Sequence, residues 1–482
     1  IDNGTMRLLD DGRMTTDYAI RPDIYWHDGT QLTIHDYVFG FKVDSDKELP
    51  FSDPTAVTSI ESIDALDPLS MRIAWKNPFY LAGTLGQMLL FPLPAHILEA
   101  EYGRLDSQSF MNLPYFLPEY VHAGPFRLVR HEPGFGATFE AHDKYFLGRP
   151  KVDVFVLKEV LDTNAAIASV LAGELEMTID RFDGTTASNL QDQWEALGKG
   201  RVLVTQGPAS IIPFQFSPDY VNPKDLLDPR VRRALFFGLD RRALTELGYG
   251  GRVTPQGEAI SIFAENEPLY EYAPALLKDS ANDPVRAAQA FAEAGLRLGA
   301  DGMLVNASGV KPAAIEVRAS SARVPVGTVI ADMWKRVGFD AKVDPIPQAR
   351  VADREYLQAY PGVEITGTGT GDRAFARIDG ETWATARNSF SGSNRGHFNN
   401  PRFTELTTLY RASLQESARG QIVREMASIF KEELPFLPIF FLPVYATVTS
   451  GIHALDDLDG GHPGGGGYYG GYPRAAHLWE KD

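Results

Sequence analysis

Residues 314–346 spell a strand, a helix and a second strand in direct succession: AIEVRAS, then Val326, Val329, Ile330, Met333 and Val337, then Gly338 and FDAKVDPI. The middle group recurs every three or four residues, so it shares one helix face. Gly338 supplies the left-handed stop that favours a helix end. Two strands joined by one crossover helix lie parallel, because only a connection of that length returns the chain to the same edge. Crossovers cover both faces of such a sheet, so this unit predicts an α/β fold with a parallel sheet in the middle of the chain.

The flanking sequence fits elements around that sheet. MRLLDDGRMTTDYAIRPDIYWHDG alternates and pairs strands around Asp10-Asp11-Gly12, and LTIHDYVFGFKV reads as a helix capped by Thr33. SMRIAWK (70–76) is a further strand, and GPFRLVRHEPGFGATFEAHDKYF is a hairpin around Glu132-Pro133-Gly134. Asn164 to Ala172 is a short helix stopped by Gly173, and LEMTID then becomes a buried strand. DPRVRRALFFGLDRRAL begins with Asp228 as cap and Pro229 in the first turn, with Val231, Ala234, Leu235 and Leu239 facing inward. FTELTTLYRASLQESARGQIVREMASIFKEE gives two helices, and ELPFLPIFFLPVYATV a strand pair.

Length and charge narrow the class. A chain of 482 residues exceeds one core, so two or three domains are expected. A net charge of −17 repels phosphate backbones and argues against a nucleic-acid partner. With no cysteine, disulfides, thiolate metal sites and cysteine nucleophiles are excluded together. The ten histidines show no H-x-x-x-H spacing, so no protein-built metal site and no cofactor are expected. The longest apolar run, PFLPIFFLPVYATV, is broken by three prolines and falls short of the ~20 residues of a membrane span.

Catalytic signatures are also missing: there is no G-x-S-x-G, H-E-x-x-H, Walker A or dinucleotide fingerprint. Among 63 carboxylates, acid pairs arise everywhere, so a glycosidase-type enzyme is the one enzymatic alternative and nothing singles it out. A binding protein is the expectation, not an enzyme.

Seven strings, in order, resemble the family 5 bacterial extracellular solute-binding proteins. They are RPDIYWHDGTQLTIHDYVFGF, FPLPAHIL, HAGPFRLVRHEPGFGATFEAHDKYFLGRPKVD, AAIASVLAGELEM, LLDPRVRRALFFGLDRRAL, NSFSGSNRGHFNNPRFTEL and EELPFLPIFF. The family carries a signal and a first strand ahead of the Trp26 region; here the sequence starts at Ile1, and a trimmed chain is the expectation.

The resemblance implies a two-lobed periplasmic-binding-protein-like clamp of class II type, with an extra mixed α/β subdomain in lobe one. Lobe one would combine 1–213 with the return segment 439–482, the subdomain covering about 1–155, and lobe two would be 217–434. The chain would cross near Phe214–Ser217 and Leu434–Pro438. Closing by hinge motion, a monomer of this kind captures a small ligand for an ABC permease in the membrane. The expected location is periplasmic or anchored at the cell surface. A peptide is the first ligand, a sugar or oligosaccharide the alternative, and a metal chelate remains open.

The resemblance also nominates residues. Asp372, ending the turn ITGTGTGDR, would pair with a ligand ammonium; a solvated turn residue is the bland reading. Trp383 and Arg387 follow on the pocket side, Tyr80 is a lobe-one aromatic wall, and Phe440 with Phe441 an aromatic pair after the second crossing. Core packing competes with each aromatic assignment. Arg373, Arg377 or Arg387 would clamp a carboxylate, against the simpler reading of surface ion pairs. Gly367, Gly369 and Gly371 would let backbone approach a ligand. Tyr468 and Tyr469 would form a lip or a plain loop. Trp26, His27 and Asp28 are read as a structural turn.

Overall fold

The computed structural model describes residues 4–46, 48–49, 54–84, 90–116, 119–160, 162–179, 184–251, 259, 261, 263, 267–273, 282–388, 390–453 and 479–482, without the side chains of 54–56, 84, 179, 195, 204–208, 372 and 444. Tyr468 and Tyr469 lie outside the described residues.

The expected β–α–β unit is present. Ile315–Ala319 and Ala341–Pro345 pair in parallel, joined by helix Val324–Arg336. The helix buries a slightly different face from the one its stripe suggests: Gly327, Ile330, Ala331, Met333 and Trp334. Two contacts rotate it. A Cβ on Gly327 would stand 3.3 Å from Ile365, so the glycine lets helix and sheet approach closely. The fully buried Trp334 sends its indole N–H to Leu235 O at 3.0 Å, so its large apolar surface is buried without an orphaned donor.

That unit belongs to a six-stranded sheet in the order Ala341–Pro345, Ile315–Ala319, Val363–Thr368, Gly200–Pro213, Phe436–Thr449, Met177–Ile179. The first three strands are parallel and the remaining neighbours antiparallel. Two 14-residue strands, Gly200–Pro213 and Phe436–Thr449, hold it together. ELPFLPIFFLPVYATV is therefore one strand, not the expected pair. Its prolines are accommodated by irregularities in the ladder between Pro438 and Phe440 and between Phe441 and Pro443. Proline cannot donate to a ladder and is tolerated in a strand at such bulges. Met177–Ile179 is an edge strand, with Met177 and Thr178 half-buried, and not the buried strand expected from LEMTID.

Both long strands pass between hydrophobic cores. The largest core runs from Ala209 to Phe441 in sequence, and smaller ones join Leu203 to Ala446 and Val448, and Val202 to Tyr445. The change of core thus falls between Leu203 and Ala209 on one strand and between Phe441 and Tyr445 on the other. These two stretches are the passages between cores, and Ala209–Ile211 pairs with Thr366–Thr368 beside the first of them.

The first 121 residues build a four-stranded antiparallel sheet, strands 6–8, 14–19, 70–75 and 60–67, beside helices Ile34–Asp44 and Ala95–Tyr102. Thr33 caps the first helix as expected, with Asp36 accepting from its backbone N–H at 2.8 Å. Trp26, His27 and Asp28 form the turn before this helix. Trp26 Nε1 reaches Asp36, and Asp28 pairs with His96 at 2.6 Å. The hairpin Phe126–Glu132 and Gly136–Ala141 is extended by Val154–Lys158 into a three-stranded sheet.

Candidate functional site

In open α/β sheets, ligands bind outside the carboxyl ends of the parallel strands. Here those ends are Ser320–Arg323 and the turn Gly367–Asp372, and they point toward the passages between cores. Strand Val363–Thr368 is wholly buried, so the turn that follows it is held rigidly.

Within the turn, Gly371 has φ +57° and a Cβ there would lie 3.1 Å from Phe263, so glycine is required. Thr370 donates to the Glu267 carboxylate, and Arg377 donates to Gly367 O at 2.8 Å. A Cβ on Gly369 would touch only the movable side chain of Arg373. Asp372 opens the helical turn Asp372–Phe375; its side chain is outside the description.

Facing Gly367 is a residue that sequence reasoning missed, Arg323. One of its terminal nitrogens lies 3.5 Å from the ideal Cβ position of Gly367, and Leu442, beside the passage in the long strand, lies 3.8 Å from the same point. Arg323 is half-buried, reaches Ser320 Oγ only at 3.5 Å, and its Nε is buried with no hydrogen-bond partner. It also directly precedes a 13-residue helix, whose amino end carries partial positive charge. A cation placed there with an orphaned donor favours an anion. Its signal in the sequence is position alone: the first basic residue past the carboxyl end of AIEVRAS, two residues before Pro325.

Tyr80 comes to this site through a chain of rings. It meets Tyr410 edge-on at 5.1 Å, and Tyr410 meets Phe375 of the Asp372 turn at 5.2 Å. The Arg419 guanidinium lies 4.9 Å over Tyr80. Tyr80 therefore joins the amino-terminal subdomain to the larger core.

Phe440, Phe441, Trp383 and Arg387 are placed away from this turn. Phe440 and Phe441 are 2% and 4% exposed members of the large core, and Phe440 packs on Gly248 of helix Arg241–Gly248. They serve packing, because their strand lies inside the sheet. Trp383 stacks on His397 and donates to Phe398 O at 2.9 Å, beyond the opposite, amino end of the strands. Arg387 is exposed on the short turn Ala386–Asn388, and Arg373 is exposed on the Asp372 turn. Among the described residues, no group of three metal-ligating side chains has the geometry of a metal site.

A sheet bridging two bodies, with its carboxyl edge facing the passages and a guanidinium with an orphaned donor there, defines a two-lobed ligand clamp of the periplasmic-binding class. Residues 9–382 match the family described as bacterial extracellular solute-binding proteins, family 5 Middle, and the chain belongs to that family of binding proteins, which are not enzymes.

Curated relatives include two proteins of Bacillus subtilis. The oligopeptide-binding protein AppA is 23% identical over 71% of this chain and 60% of that relative, so this match spans less than two thirds of AppA. The oligopeptide-binding protein OppA is 21% identical over 89% of this chain and 77% of that relative. Among solved structures, the fold matches the oligopeptide binding protein from Thermus thermophilus complexed with pentapeptide (TM-score 0.75, 23% identity, 94% of this chain and 82% of that one). It also matches the periplasmic EDTA-binding protein EppA (TM-score 0.79, 18% identity, 99% and 86%) and NikZ from Campylobacter jejuni in complex with Ni(L-His) (TM-score 0.74, 19% identity, 93% and 85%). No helix among the described residues is long and apolar enough to cross a membrane.

Proposed function

We propose that this protein captures a carboxylate-bearing small ligand outside the cytoplasmic membrane, a short peptide being the first case, and delivers it to an ABC permease. Arg323 carries this reading: a half-buried guanidinium with an orphaned Nε, at a helix amino end, on the edge of the sheet that faces the other lobe. A ligand carboxylate would satisfy it by a charge-assisted bond. Asp372, across the glycine turn, is the proposed partner for a ligand ammonium, which together with the carboxylate describes a peptide. The ligands named for the similar proteins support the carboxylate: a pentapeptide, histidine on nickel and EDTA all carry one.

Closure would bend both long strands at their passages. The irregularity between Phe441 and Pro443 leaves the ladder locally unpaired, so rotation there disturbs few hydrogen bonds. A location in the periplasm or anchored at the cell surface follows from the same proposal.

Native mass spectrometry of freshly purified protein, with extraction of anything bound, tests the ligand class; calorimetry on Arg323→Gln tests the site. Short peptides that bind the parent protein and lose at least tenfold in the variant support the proposal. A neutral sugar as the bound species, or unchanged peptide affinity in Arg323→Gln, overturns it.

A further inference from the structure

A cavity of about 660 Å³ lies in the larger lobe, away from the carboxyl edge of the sheet. It opens beyond the amino end of strand Val363–Thr368, where Phe214 bridges Val363 and Phe216 N–H donates to Gly396 O. Its walls come from residues 216–433, with none from the amino-terminal lobe or from the return segment. A ligand held at Arg323 would not reach it.

The walls are aromatic: Trp383, Tyr220, His397 and Phe390 all line the space. Trp383 and His397 stack with ring centroids 5.4 Å apart and 24° between planes, and Tyr220 stands 6.4 Å from His397. His397 is fixed by Ala384 O at 2.9 Å and Gln358 Oε1 at 3.1 Å.

Charge gives the site a sign. Asp219 and Glu433 line the cavity, and Asp219 has no ion-pair partner among the described residues. Among the described residues, the only guanidinium in the lining, Arg232, is 1% exposed, gives its donors to Glu433 O and Leu226 O, and reaches the Glu433 carboxylate at 3.4 Å. Arg232 thus matches Glu433 in part, and Asp219 leaves the rim with a net negative charge.

Backbone strain converges on the same place. Among the described residues, the non-glycine positions with left-handed backbone are Phe390, His397 and Leu434, at φ 57°, 56° and 45°. Two line the cavity and the third follows Glu433. Such conformations cost energy and gather at ligand sites, where the surrounding structure holds them in place. The volume is also that of an ordinary small-molecule site.

We propose that this cavity is a second binding site, for a small organic cation whose apolar body lies on the aromatic walls and whose ammonium meets Asp219, with the Glu433 carboxylate beside it. Aromatic faces and carboxylates attract the same sign of charge, and desolvated aromatic walls strengthen the contact. Neither feature suits a carboxylate ligand, which separates this site from the one at Arg323.

Calorimetric titration of the full chain with phenethylamine, and separately with 3-phenylpropionate, tests the site. Saturable phenethylamine binding is expected, weakened at least tenfold in Asp219→Asn/Glu433→Gln and in Tyr220→Ala, and unchanged in Arg323→Gln. Glutamine at 433 keeps the main-chain carbonyl and a side-chain oxygen for Arg232, and unchanged thermal melts confirm folding of each variant. No saturable heat, equal affinity for 3-phenylpropionate, or loss of binding in Arg323→Gln alone overturns the proposal.

Discussion

Arg232, near the start of the larger lobe, clasps the main-chain carbonyl of Glu433, the last residue of that lobe's final helix, through Nε at 2.8 Å and a terminal nitrogen. The same guanidinium donates to Leu226 O at 2.8 Å and lies 4.9 Å over the ring of Phe216. One buried side chain thus ties the segment Phe216–Leu226 to the carboxyl end of helix Glu416–Glu433. Burial lowers its pKa to about 10, which still leaves it charged at neutral pH.

Removing Arg232 leaves two carbonyls short of donors in a buried setting. Arg232→Leu is expected to cost about 3 kcal/mol, the range for breaking a buried charged hydrogen-bond group. Arg232→Lys should recover only part, because an ammonium lacks the planar fork that spans both carbonyls. Urea denaturation measures both; a loss below about 0.5 kcal/mol for the leucine variant would refute the clasp.

Two histidines, His27 and His122, give the amino-terminal lobe an acid sensitivity. Gly124 O accepts from His27 Nε2 at 2.9 Å and His142 Nδ1 at 3.2 Å, while Gly124 N–H donates to His122 Nδ1 at 2.9 Å. The His27 ring lies 4.2 Å from His122 and 4.9 Å from His142. Burial lowers the pKa of His27 to about 4 and that of His122 to about 3, helped by the neighbouring imidazoles and, for His27, by Arg127 against Asp28. The unfolded chain binds these protons from about pH 6.5 downward, before the native state does, so stability falls as pH drops from about 6.5 toward 4. Each of the two contributes about 1.4 kcal/mol per pH unit below 6.5, so the loss from His27 and His122 together is expected to be roughly 4–5 kcal/mol between pH 7 and 4.5. Denaturation of His27→Gln/His122→Asn across that range should show a flatter profile than the parent; parallel profiles would exclude the cluster as the cause.

Much of this architecture was legible because local chemistry and tertiary packing agree. Asp228 with Pro229, Thr33, and Gly173 at φ +77° are start and stop signals that work in the same way in the isolated sequence and in the fold. The long strand Phe436–Thr449 was misread because its prolines look like breaks, and only the register with Gly200–Pro213 shows them sitting at bulges. Arg323 was invisible for a related reason. One arginine near a helix start is unremarkable until the sheet order places it at the carboxyl edge beside Gly367. Phe440 and Phe441 mislead in the opposite sense, since an aromatic pair reads alike whether it faces a ligand or Gly248.

Tyr80 and Tyr410 join the lobes by an edge-to-face contact. Leu414, at the corner after Tyr410's helix, packs on the subdomain core, and Arg419 holds that corner through Ser413 O and Leu414 O. A double-mutant cycle of Tyr80→Ala and Tyr410→Ala is expected to give a coupling of about 0.5–1.5 kcal/mol in stability, the range for aromatic pairs. Additive effects would place the two rings apart in solution, as in an opened clamp.

Arg323 makes a prediction that a structural residue would not. Its orphaned Nε and its place at the positive end of helix Val324–Arg336 both weigh against the unliganded protein. Arg323→Gln should therefore leave the empty protein as stable or more stable, by about 0.5–1 kcal/mol, while ligand affinity falls. The thermal shift on adding ligand should shrink by more than the starting melting temperature rises, because binding stabilises only in proportion to affinity. A guanidinium that instead holds the fold together would give a lower melting temperature without ligand. Melting curves of parent and variant, each with and without a short peptide, separate a residue kept for binding from one kept for structure.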